Sequence, residues 1–278
     1  MSMNSSDGLT TFTAHYESRR IRIDDIELET ACWGTGARDR LPILLLHEGL
    51  GSIRLWKDFP EQLARATGRD VIAWSRRGHG WSDKLTAAHG PGYMHGEANL
   101  LPQIQAALGV PRAHWLGHSD GGSIALIAAA RFPALVASLV LEAPHIFVED
   151  LTVASIAKVA AGFSASDMGE RMKRYHADPV SLFEKWSAIW LDPIFRSWNI
   201  EDLLARIAAP ALLIQGRDDQ YGTMRQLDSI EGVIAETRRL ELDCCGHSPH
   251  FDRKDAVIDA ICAFLNEREV NTVSETSE

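Results

Sequence analysis

Three short motifs contain a serine, an acid and a histidine of the types that form a nucleophilic centre. Residues 117–122 have the pattern Gly-x-Ser-x-Gly, with Ser119 at its centre. Asp219 and His247 follow later in the chain. A serine hydroxyl is a weak nucleophile near neutral pH, and it requires an adjacent imidazole that a carboxylate holds in one tautomer. The motifs therefore predict Ser119 as nucleophile, His247 as base and Asp219 as the acid that orients His247.

The Gly-x-Ser-x-Gly pattern is weak evidence on its own. It would occur in roughly one chain in ten of this size, given about 7% glycine. A glycine-rich turn can also bind phosphate, but residues 117–122 lack the glycine spacing and the basic residue of such loops. The three motifs each follow a predicted strand, and their order is serine, acid, histidine. This combination favours the nucleophilic centre.

The loop 47–52, with the sequence His-Glu-Gly-Leu-Gly-Ser, directly follows a buried apolar run. Acyl transfer by serine requires backbone N–H groups that face the developing oxyanion. The residue after the nucleophile, Asp120, supplies one of them. A simple glycine-rich turn is the alternative for the loop, but its position after a strand favours the oxyanion role. We predict Gly49 as the second donor.

Short apolar runs alternate with helical patterns along most of the chain. The predicted strands are Leu41–Leu46, Asp70–Trp74, Ala113–Gly117, Leu139–Leu141, Ala211–Gln215 and Arg239–Leu242, and the predicted helices are Lys57–Ala66, Asn99–Leu108, Gly122–Ala130 and Lys254–Asn266. Strands that are apolar without alternation are typical of sheets covered on both faces. The segment Tyr16–Trp33 alternates and predicts an antiparallel hairpin at one edge. The fold class is therefore α/β, with a mostly parallel central sheet flanked by helices.

One long segment contains helical patterns but no strand. Within residues 145–205, helices are predicted at Leu151–Phe163, Asp167–His176 and Val180–Leu191. A helical insertion between two strands predicts a lid over the end of the sheet. The predicted organisation is a core formed by residues 1–144 and 206–269, a helical lid at 145–205, and a disordered Ser/Thr/Glu-rich tail at 270–278.

These motifs, together with Arg-Gly-His-Gly-Trp-Ser at 77–82, resemble the α/β-hydrolase superfamily over residues 14–265. Residues 119–122 and the Glu-Lys-Trp at 184–186 look closest to the valacyclovir hydrolase (biphenyl hydrolase-like) branch. The resemblance implies hydrolysis of small esters, including amino-acid esters. The superfamily pattern also favours Asp219 over Asp218, because Asp219 stands three residues after Gly216.

The sequence departs from that pattern at two positions, since Ser75 replaces a common acid and Glu48 replaces a common glycine. The carboxylates of Glu48 and Asp120 would lie near the oxyanion. At an effective dielectric of about 20, a charge roughly 5 Å away costs on the order of 3 kcal/mol. Three explanations are open: an internal partner such as Arg76 or Arg77, a cationic substrate whose ammonium binds Asp120, or a bridging metal. No ligand cluster supports the metal, so neither a metal nor a cofactor is predicted.

The lid is rich in aromatic residues. Most of them are expected to pack between helices, as aromatics at helical spacing usually do. Trp186 and Trp190 share one helix face at a spacing of four. We predict that Trp186, Trp190, Asp120 and Glu48 contact the substrate.

Composition excludes several classes of protein. The chain has 278 residues and a net charge of −10, and it has no basic block, so nucleic acid is not expected as a partner. No apolar run approaches the ~20 residues that span a bilayer. Residues 1–13 have no signal-peptide pattern, and the four cysteines have no disulfide or zinc spacing. We expect a cytoplasmic protein whose partner is a small-molecule substrate.

The sequence thus predicts an enzyme, a serine hydrolase of a small carboxylic ester that works through an acyl-enzyme. A hydrolase of C–C bonds in ring-cleavage products, or an enol-lactonase, would use the same fold and residues. Their anionic substrates fit less well with Asp120 and Glu48. A non-catalytic small-molecule receptor and a cofactor-free oxygenase or haloperoxidase remain alternatives on this scaffold.

Overall fold

The computed structural model describes residues 15–34 and 40–275, so the segment 1–13 lies outside the described residues. The strands are β1 (His15–Ile23), β2 (Ile26–Gly34), β3 (Ile43–Leu46), β4 (Val71–Trp74), β5 (Ala113–His118), β6 (Val136–Glu142), β7 (Ala211–Gly216) and β8 (Thr237–Leu242). The helices are α1 (Phe59–Thr67), α2 (Tyr93–Leu108), α3 (Asp120–Arg131), α4 (Asp150–Phe163), α5 (Met168–Met172), α6 (Pro179–Leu191), α7 (Glu201–Leu204), α8 (Arg225–Glu231), α9 (Pro249–Asp252) and α10 (Lys254–Glu275). Among the described helices, none has the length and apolar character needed to cross a bilayer.

The eight strands form one sheet in the order β1-β2-β4-β3-β5-β6-β7-β8. The β1–β2 and β2–β4 pairs are antiparallel, and the remaining neighbours are parallel. The predicted fold class, a mostly parallel sheet flanked by helices, is confirmed, and the hairpin lies at one edge as expected. Ser119, Asp219 and His247 follow β5, β7 and β8, so they lie at the same edge of the sheet.

The central strands are continuously apolar because helices cover both faces of the sheet. In β3, Leu44 and Leu46 pack in the cluster that contains α2 and α3. Ile43 and Leu45 pack in the cluster that contains α1 and α10. Side chains on both faces of the strand are therefore buried, and the polar–apolar alternation typical of half-exposed strands is absent.

The insertion between β6 and β7 carries α4 to α7. Its two ends meet, since Phe147 and Asn199 form an isolated bridge and the N–H of Ile200 donates to the carbonyl of Ile146 at 2.8 Å. Side chains of α4 and α6 line the cavity that contains Ser119. The insertion therefore covers the carboxyl end of the sheet.

Helices α2 and α10 depart most from their predicted bounds. Helix α2 begins at Tyr93, six residues before the predicted start, because buried Met94 and Ala98 extend its apolar face. Helix α10 continues to Glu275, past its predicted end at Asn266 and into the segment 270–278 that was predicted as a disordered tail. Propagation of an established helix costs little per residue, so the polar composition does not end it. Residues 276–278 lie outside the described residues.

Gly121 allows α3 to approach β3 unusually closely. A Cβ at Gly121 would lie 2.0 Å from the carbonyl oxygen of Leu46. In a Gly121→Ala variant one backbone must move, so we expect the free energy of unfolding to fall by about 2 kcal/mol or more. Gly96→Ala in α2 is the matched control. No atom lies within 4 Å of a Cβ there, and alanine should raise the free energy of unfolding by about 0.5–1 kcal/mol. Urea denaturation measures both, and a fully stable Gly121→Ala protein would contradict this packing argument.

Candidate active site

Ser119 lies at a sharp turn between β5 and α3. Its backbone has φ 54° and ψ −119°, a conformation that costs a non-glycine residue of order 1–3 kcal/mol. Its N–H donates to the carbonyl of Glu142 at 2.9 Å, and its carbonyl accepts from the N–H of Gly122 at 2.9 Å. These bonds hold the strained turn in place. The turn presents the Ser119 hydroxyl beyond the end of the sheet.

The structure brings the three predicted residues into one hydrogen-bonded series. The hydroxyl of Ser119 lies 2.9 Å from Nε2 of His247. Nδ1 of His247 lies 2.9 Å from each carboxylate oxygen of Asp219. Because an ionised carboxylate only accepts, Nδ1 carries the proton and Nε2 is left as an acceptor for the Ser119 hydroxyl. This is the tautomer that a general base requires.

Asp219 is buried and has several donors around it. Its oxygens accept from the N–H of Tyr221 at 2.8 Å and from the amide of Gln215 at 3.1 Å. Burial alone would raise the pKa of Asp219, but the charge and hydrogen bond of His247 outweigh it and hold that pKa below its usual range. Asp218 is exposed to solvent. The geometry therefore selects Asp219 rather than Asp218 as the partner of His247.

The loop after β3 is anchored through its carbonyl groups. The carbonyl of Glu48 accepts from Nη2 of Arg76 at 2.8 Å and lies 2.7 Å from Nδ1 of His47. The carbonyl of Gly49 lies 3.0 Å from Nε2 of His79. In a planar trans peptide, the C=O and the following N–H point in opposite directions. The N–H of Gly49 therefore points away from Arg76 and His47, and Gly49 lines the cavity that contains Ser119.

Glu48 forms an ion pair with His118. Its Oε2 lies 3.6 Å from Nδ1 of His118, whose Nε2 donates to the carbonyl of His247 at 2.6 Å. Burial would raise the pKa of Glu48, but contact with His118 lowers it to about 2. Burial would likewise lower the pKa of His118, but Glu48 outweighs it and raises that pKa above its ordinary value. The negative charge of Glu48 thus favours the protonated form of the adjacent His118.

Asp120 also has internal partners. Its Oδ2 accepts from the hydroxyl of Tyr93 at 2.7 Å and lies 3.9 Å from Nη2 of Arg76. Burial raises the pKa of Asp120, while Arg76 and Tyr93 oppose the shift. Arg77, the other candidate partner, instead donates to the carbonyl of Lys84. Of the three explanations for this carboxylate, the structure supplies the first, an internal partner.

A cavity of about 150 Å³ surrounds Ser119, and its lining residues are Glu48, Gly49, Leu50, Ser119, Asp120, His145, Thr152, Ile156, Trp186, Trp190, Tyr221 and His247. The two predicted lid tryptophans are both present. Phe183, Phe195 and Trp198 are buried in the lid without lining the cavity. A larger cavity of about 530 Å³ beside Pro42 and Gly109 contains none of the predicted site residues. Size alone therefore does not identify the site.

Several residues of the site carry no sequence motif. Tyr93 on α2 holds Asp120, and Gln215 on β7 holds Asp219. His145, after β6, has its ring centroid 5.7 Å from that of His247. Burial, aided by the charge of His247, lowers the pKa of His145 to about 3, which keeps it neutral. Tyr93 and His145 belong to elements distant in sequence from the three motifs, so only the fold brings them to the site. Gln215 stands four residues before Asp219, but only the structure shows that its amide contacts that carboxylate.

The departure at Ser75 is explained by a neighbouring strand. The hydroxyl of Ser75 donates to Oε1 of Glu29 on β2 at 2.6 Å and accepts from the N–H of Ile53 at 3.1 Å. Glu29 thus supplies the carboxylate that the common pattern places at position 75. The exchange affects how the loops after β3 and β4 are anchored.

Known proteins share this sequence pattern and this fold. A sequence profile described as alpha/beta hydrolase fold matches residues 42–188. Serine hydrolase BPHL of Homo sapiens is 27% identical over 241 residues, which cover 82% of this chain and 79% of that protein. The 2-hydroxy-6-oxo-6-phenylhexa-2,4-dienoate hydrolase of Comamonas testosteroni is 22% identical, covering 81% and 88%. The crystal structure of a bacterial membrane phospholipase A has a TM-score of 0.74 at 23% identity, covering 91% of this chain and 87% of that one, which shows a shared fold.

The ion pair predicts how His118 titrates. In the unaltered protein we expect its pKa above 6.5, whereas in Glu48→Gln burial should lower it below 6.5. NMR titration of the imidazole nitrogens measures both values. His114 is the control, because its pKa of about 3 depends on burial, Arg69 and Arg112 rather than on Glu48. An unchanged His118 pKa in the variant would contradict the ion pair.

The same shifts set the pH range in which the pair stabilises the fold. His118 has a higher pKa in the folded state, so its contribution is full below pH 6.5 and is lost as the pH rises through the folded pKa. Glu48 has a lower folded pKa, so its contribution is full above pH 4.5 and is lost as the pH falls through about 2. The difference in unfolding free energy between the unaltered protein and Glu48→Gln should be largest between those limits.

Proposed function

The chain belongs to the alpha/beta hydrolase family, as its motifs predicted. We propose that it is a serine hydrolase that cleaves small carboxylic esters whose acyl part carries no charged group. One observation carries this proposal. The hydroxyl of Ser119, the imidazole of His247 and the buried carboxylate of Asp219 form an unbroken hydrogen-bonded series at the wall of a cavity. The family match and the similarity to a serine hydrolase support hydrolysis as the reaction.

The reaction follows from the geometry in two steps. Oγ of Ser119 attacks the ester carbonyl carbon while Nε2 of His247 takes its proton, and the C=O electron pair moves onto oxygen. The N–H groups of Gly49 and Asp120 stabilise that oxyanion. The intermediate collapses, His247 protonates the departing alcohol, and the acyl group remains on Ser119. Water then attacks the acyl carbon while Nε2 of His247 takes its proton, and the second intermediate collapses with cleavage of the bond to Oγ. His247 returns the proton to Oγ of Ser119, the acid leaves, and Asp219 keeps the imidazole in one tautomer throughout.

The cavity favours a small acyl group. Its volume is about 150 Å³, and Leu50, Ile156, Trp186 and Trp190 supply apolar or aromatic walls. An apolar cavity of about 150 Å³ holds one benzene molecule. A branched acyl chain of about five carbons has a comparable size. We therefore place branched short-chain esters among the preferred substrates.

The charges around the cavity favour an uncharged acyl group. Glu48 is paired with His118, and Asp120 is held by Tyr93 and Arg76. A substrate ammonium would have to displace one of these partners to gain a carboxylate. Of the described residues that line the cavity, none is lysine or arginine, so a substrate carboxylate also lacks a cation. This disfavours both amino-acid esters and the anionic products of ring cleavage.

Substitutions of the hydrogen-bonded series test the proposed chemistry. Ser119→Ala should abolish labelling by a fluorophosphonate probe and ester hydrolysis together. Asp219→Asn should lower kcat/KM by about 10⁴-fold, because the imidazole loses the required tautomer. Asp218→Asn is the matched control, since its exposed carboxylate contacts no part of the site, and its kcat/KM should stay near that of the unaltered protein. If Ser119 is not labelled and no ester is hydrolysed, the serine hydrolase proposal is contradicted and the non-catalytic receptor becomes the favoured alternative.

A matched pair of esters tests the charge argument. The phenyl esters of valine and isovalerate differ in the acyl part only by the ammonium group. Each kcat/KM is divided by the rate constant for hydroxide hydrolysis of the same ester, and Ser119→Ala serves as the blank. We expect the normalised kcat/KM of the isovalerate ester to equal or exceed that of the valine ester. A strong preference for valine that disappears in Asp120→Asn would instead establish an ammonium site at Asp120, and with it an amino-acid ester hydrolase.

A further inference from the structure

Trp186 places a buried hydrogen-bond donor at the wall of the cavity, against Gly49. Its Nε1 is buried and has no hydrogen-bond partner among the residues that the structure describes. An indole N–H only donates, and burial without an acceptor sacrifices its contact with water. A group that enters the cavity with an oxygen acceptor would satisfy it.

A missing partner is not sufficient to assign a role. Nε1 of Trp56 and of Trp198 are also buried without a partner, but neither residue lines the cavity. Nε1 of Trp190, which does line the cavity, already donates to the hydroxyl of Tyr93 at 3.1 Å. Only Trp186 among these four residues combines a free N–H with a place in the cavity.

The position of Trp186 relative to Gly49 suggests which acceptor its N–H would meet. A Cβ at Gly49 would lie 2.0 Å from Nε1 of Trp186. Since a C–C bond is about 1.5 Å long, Nε1 lies within about 3.5 Å of the Gly49 Cα, which is one bond from the amide nitrogen. The indole N–H therefore lies beside the amide that we propose as an oxyanion donor.

We propose that Trp186 is a catalytic residue whose indole N–H donates a third hydrogen bond to the oxyanion, beside the N–H groups of Gly49 and Asp120. This inference rests on the proposed serine hydrolase function. An uncharged acyl group offers only its ester oxygens as acceptors, and the carbonyl oxygen is the one that gains negative charge in the transition state. A hydrogen bond to that oxygen therefore stabilises the transition state more than it stabilises the bound ester.

The location of Trp186 on α6 gives this donor a second property. Helix α6 belongs to the lid, whereas Gly49 and Asp120 belong to the core. The oxyanion site is therefore complete only when the lid is seated against the loop 47–52, as it is in this structure. Lid closure and transition-state stabilisation are thereby coupled through one side chain.

Removal of the N–H with retention of an aromatic ring tests the proposal. Trp186→Phe should lower kcat for phenyl isovalerate by about 10²-fold with little change in KM, which is the pattern of an interaction made mainly in the transition state. The Ki of isobutyl trifluoromethyl ketone, which adds to Ser119 and forms an oxyanion, should rise by a similar factor. Replacement of Trp186 by benzothienylalanine, which keeps the shape of the side chain and exchanges N–H for sulfur, should reproduce both effects and guards against misfolding of the Phe variant.

Trp198→Phe is the matched control, because it removes an equally buried, unpaired indole N–H outside the cavity and should leave kcat and Ki near those of the unaltered protein. A normal kcat with a raised KM in the Trp186 variants would make Trp186 a substrate-packing residue and overturn the inference. Normal kcat, KM and Ki would also overturn it. Either result, with Ser119 still labelled by the fluorophosphonate probe, leaves the serine hydrolase proposal intact, whereas loss of labelling in the unaltered protein contradicts that proposal itself.

Discussion

A basic partner stabilises a carboxylate that is withdrawn from water, and four carboxylates near Ser119 have one. Three of them, Asp120, Glu142 and Asp219, are buried, and the side chain of the fourth, Glu48, is 25% exposed. The pairs are Asp219 with His247, Glu48 with His118, Asp120 with Arg76, and Glu142 with His250. An unpaired buried charge would shift its pKa or destabilise the fold by several kcal/mol. The loops at this edge of the sheet are arranged so that each acid meets its own imidazole or guanidinium.

This pairing connects segments that are far apart in the sequence. His118, the last residue of β5, contacts Glu48 in the loop after β3 and donates to the carbonyl of His247 after β8. Arg76, after β4, holds the carbonyl of Glu48 and lies beside Asp120. The strained turn at Ser119 is therefore enclosed by loops that are fixed to one another. Such support keeps a hydroxyl, an imidazole and backbone donors within the narrow tolerance that acyl transfer requires.

The lid contributes in a different way from the core. The core supplies the hydrogen-bonded series and the anchored loops, whereas α4 and α6 supply Ile156, Trp186 and Trp190 to the cavity wall. The acids around the cavity have internal partners, so under the proposed function selectivity would depend on the size and shape of this wall and on the few polar groups of the described residues that lack a partner. The proposed chemistry thus rests on groups at the sheet edge, and the proposed substrate choice rests on the insertion.

Local patterns in the sequence were sufficient for the features that a strand or turn imposes on its own residues. The apolar run at Ile43–Leu46 indicated a doubly covered strand, and the glycines on both sides of Ser119 indicated the sharp turn. The order of Ser119, Asp219 and His247 placed them at one sheet edge. Such local patterns could not predict which residues contact the charged groups. Tyr93 is 27 residues from Asp120 in the sequence, and His118 is 129 residues from His247.

The two lid tryptophans, Trp186 and Trp190, show the same limit of sequence-based prediction. Both lie on one face of α6, and the sequence treats them alike. Only the tertiary structure decides that Nε1 of Trp190 reaches Tyr93 while Nε1 of Trp186 rests unpaired on Gly49. A periodic pattern records which face of an element is buried, but hydrogen-bond partners depend on which side chains distant loops and helices bring within 3 Å or so of each other. The sequence alone therefore determined the fold and the three candidate reactive side chains, and the packed chain decided which charges are paired and which donor is left without a partner.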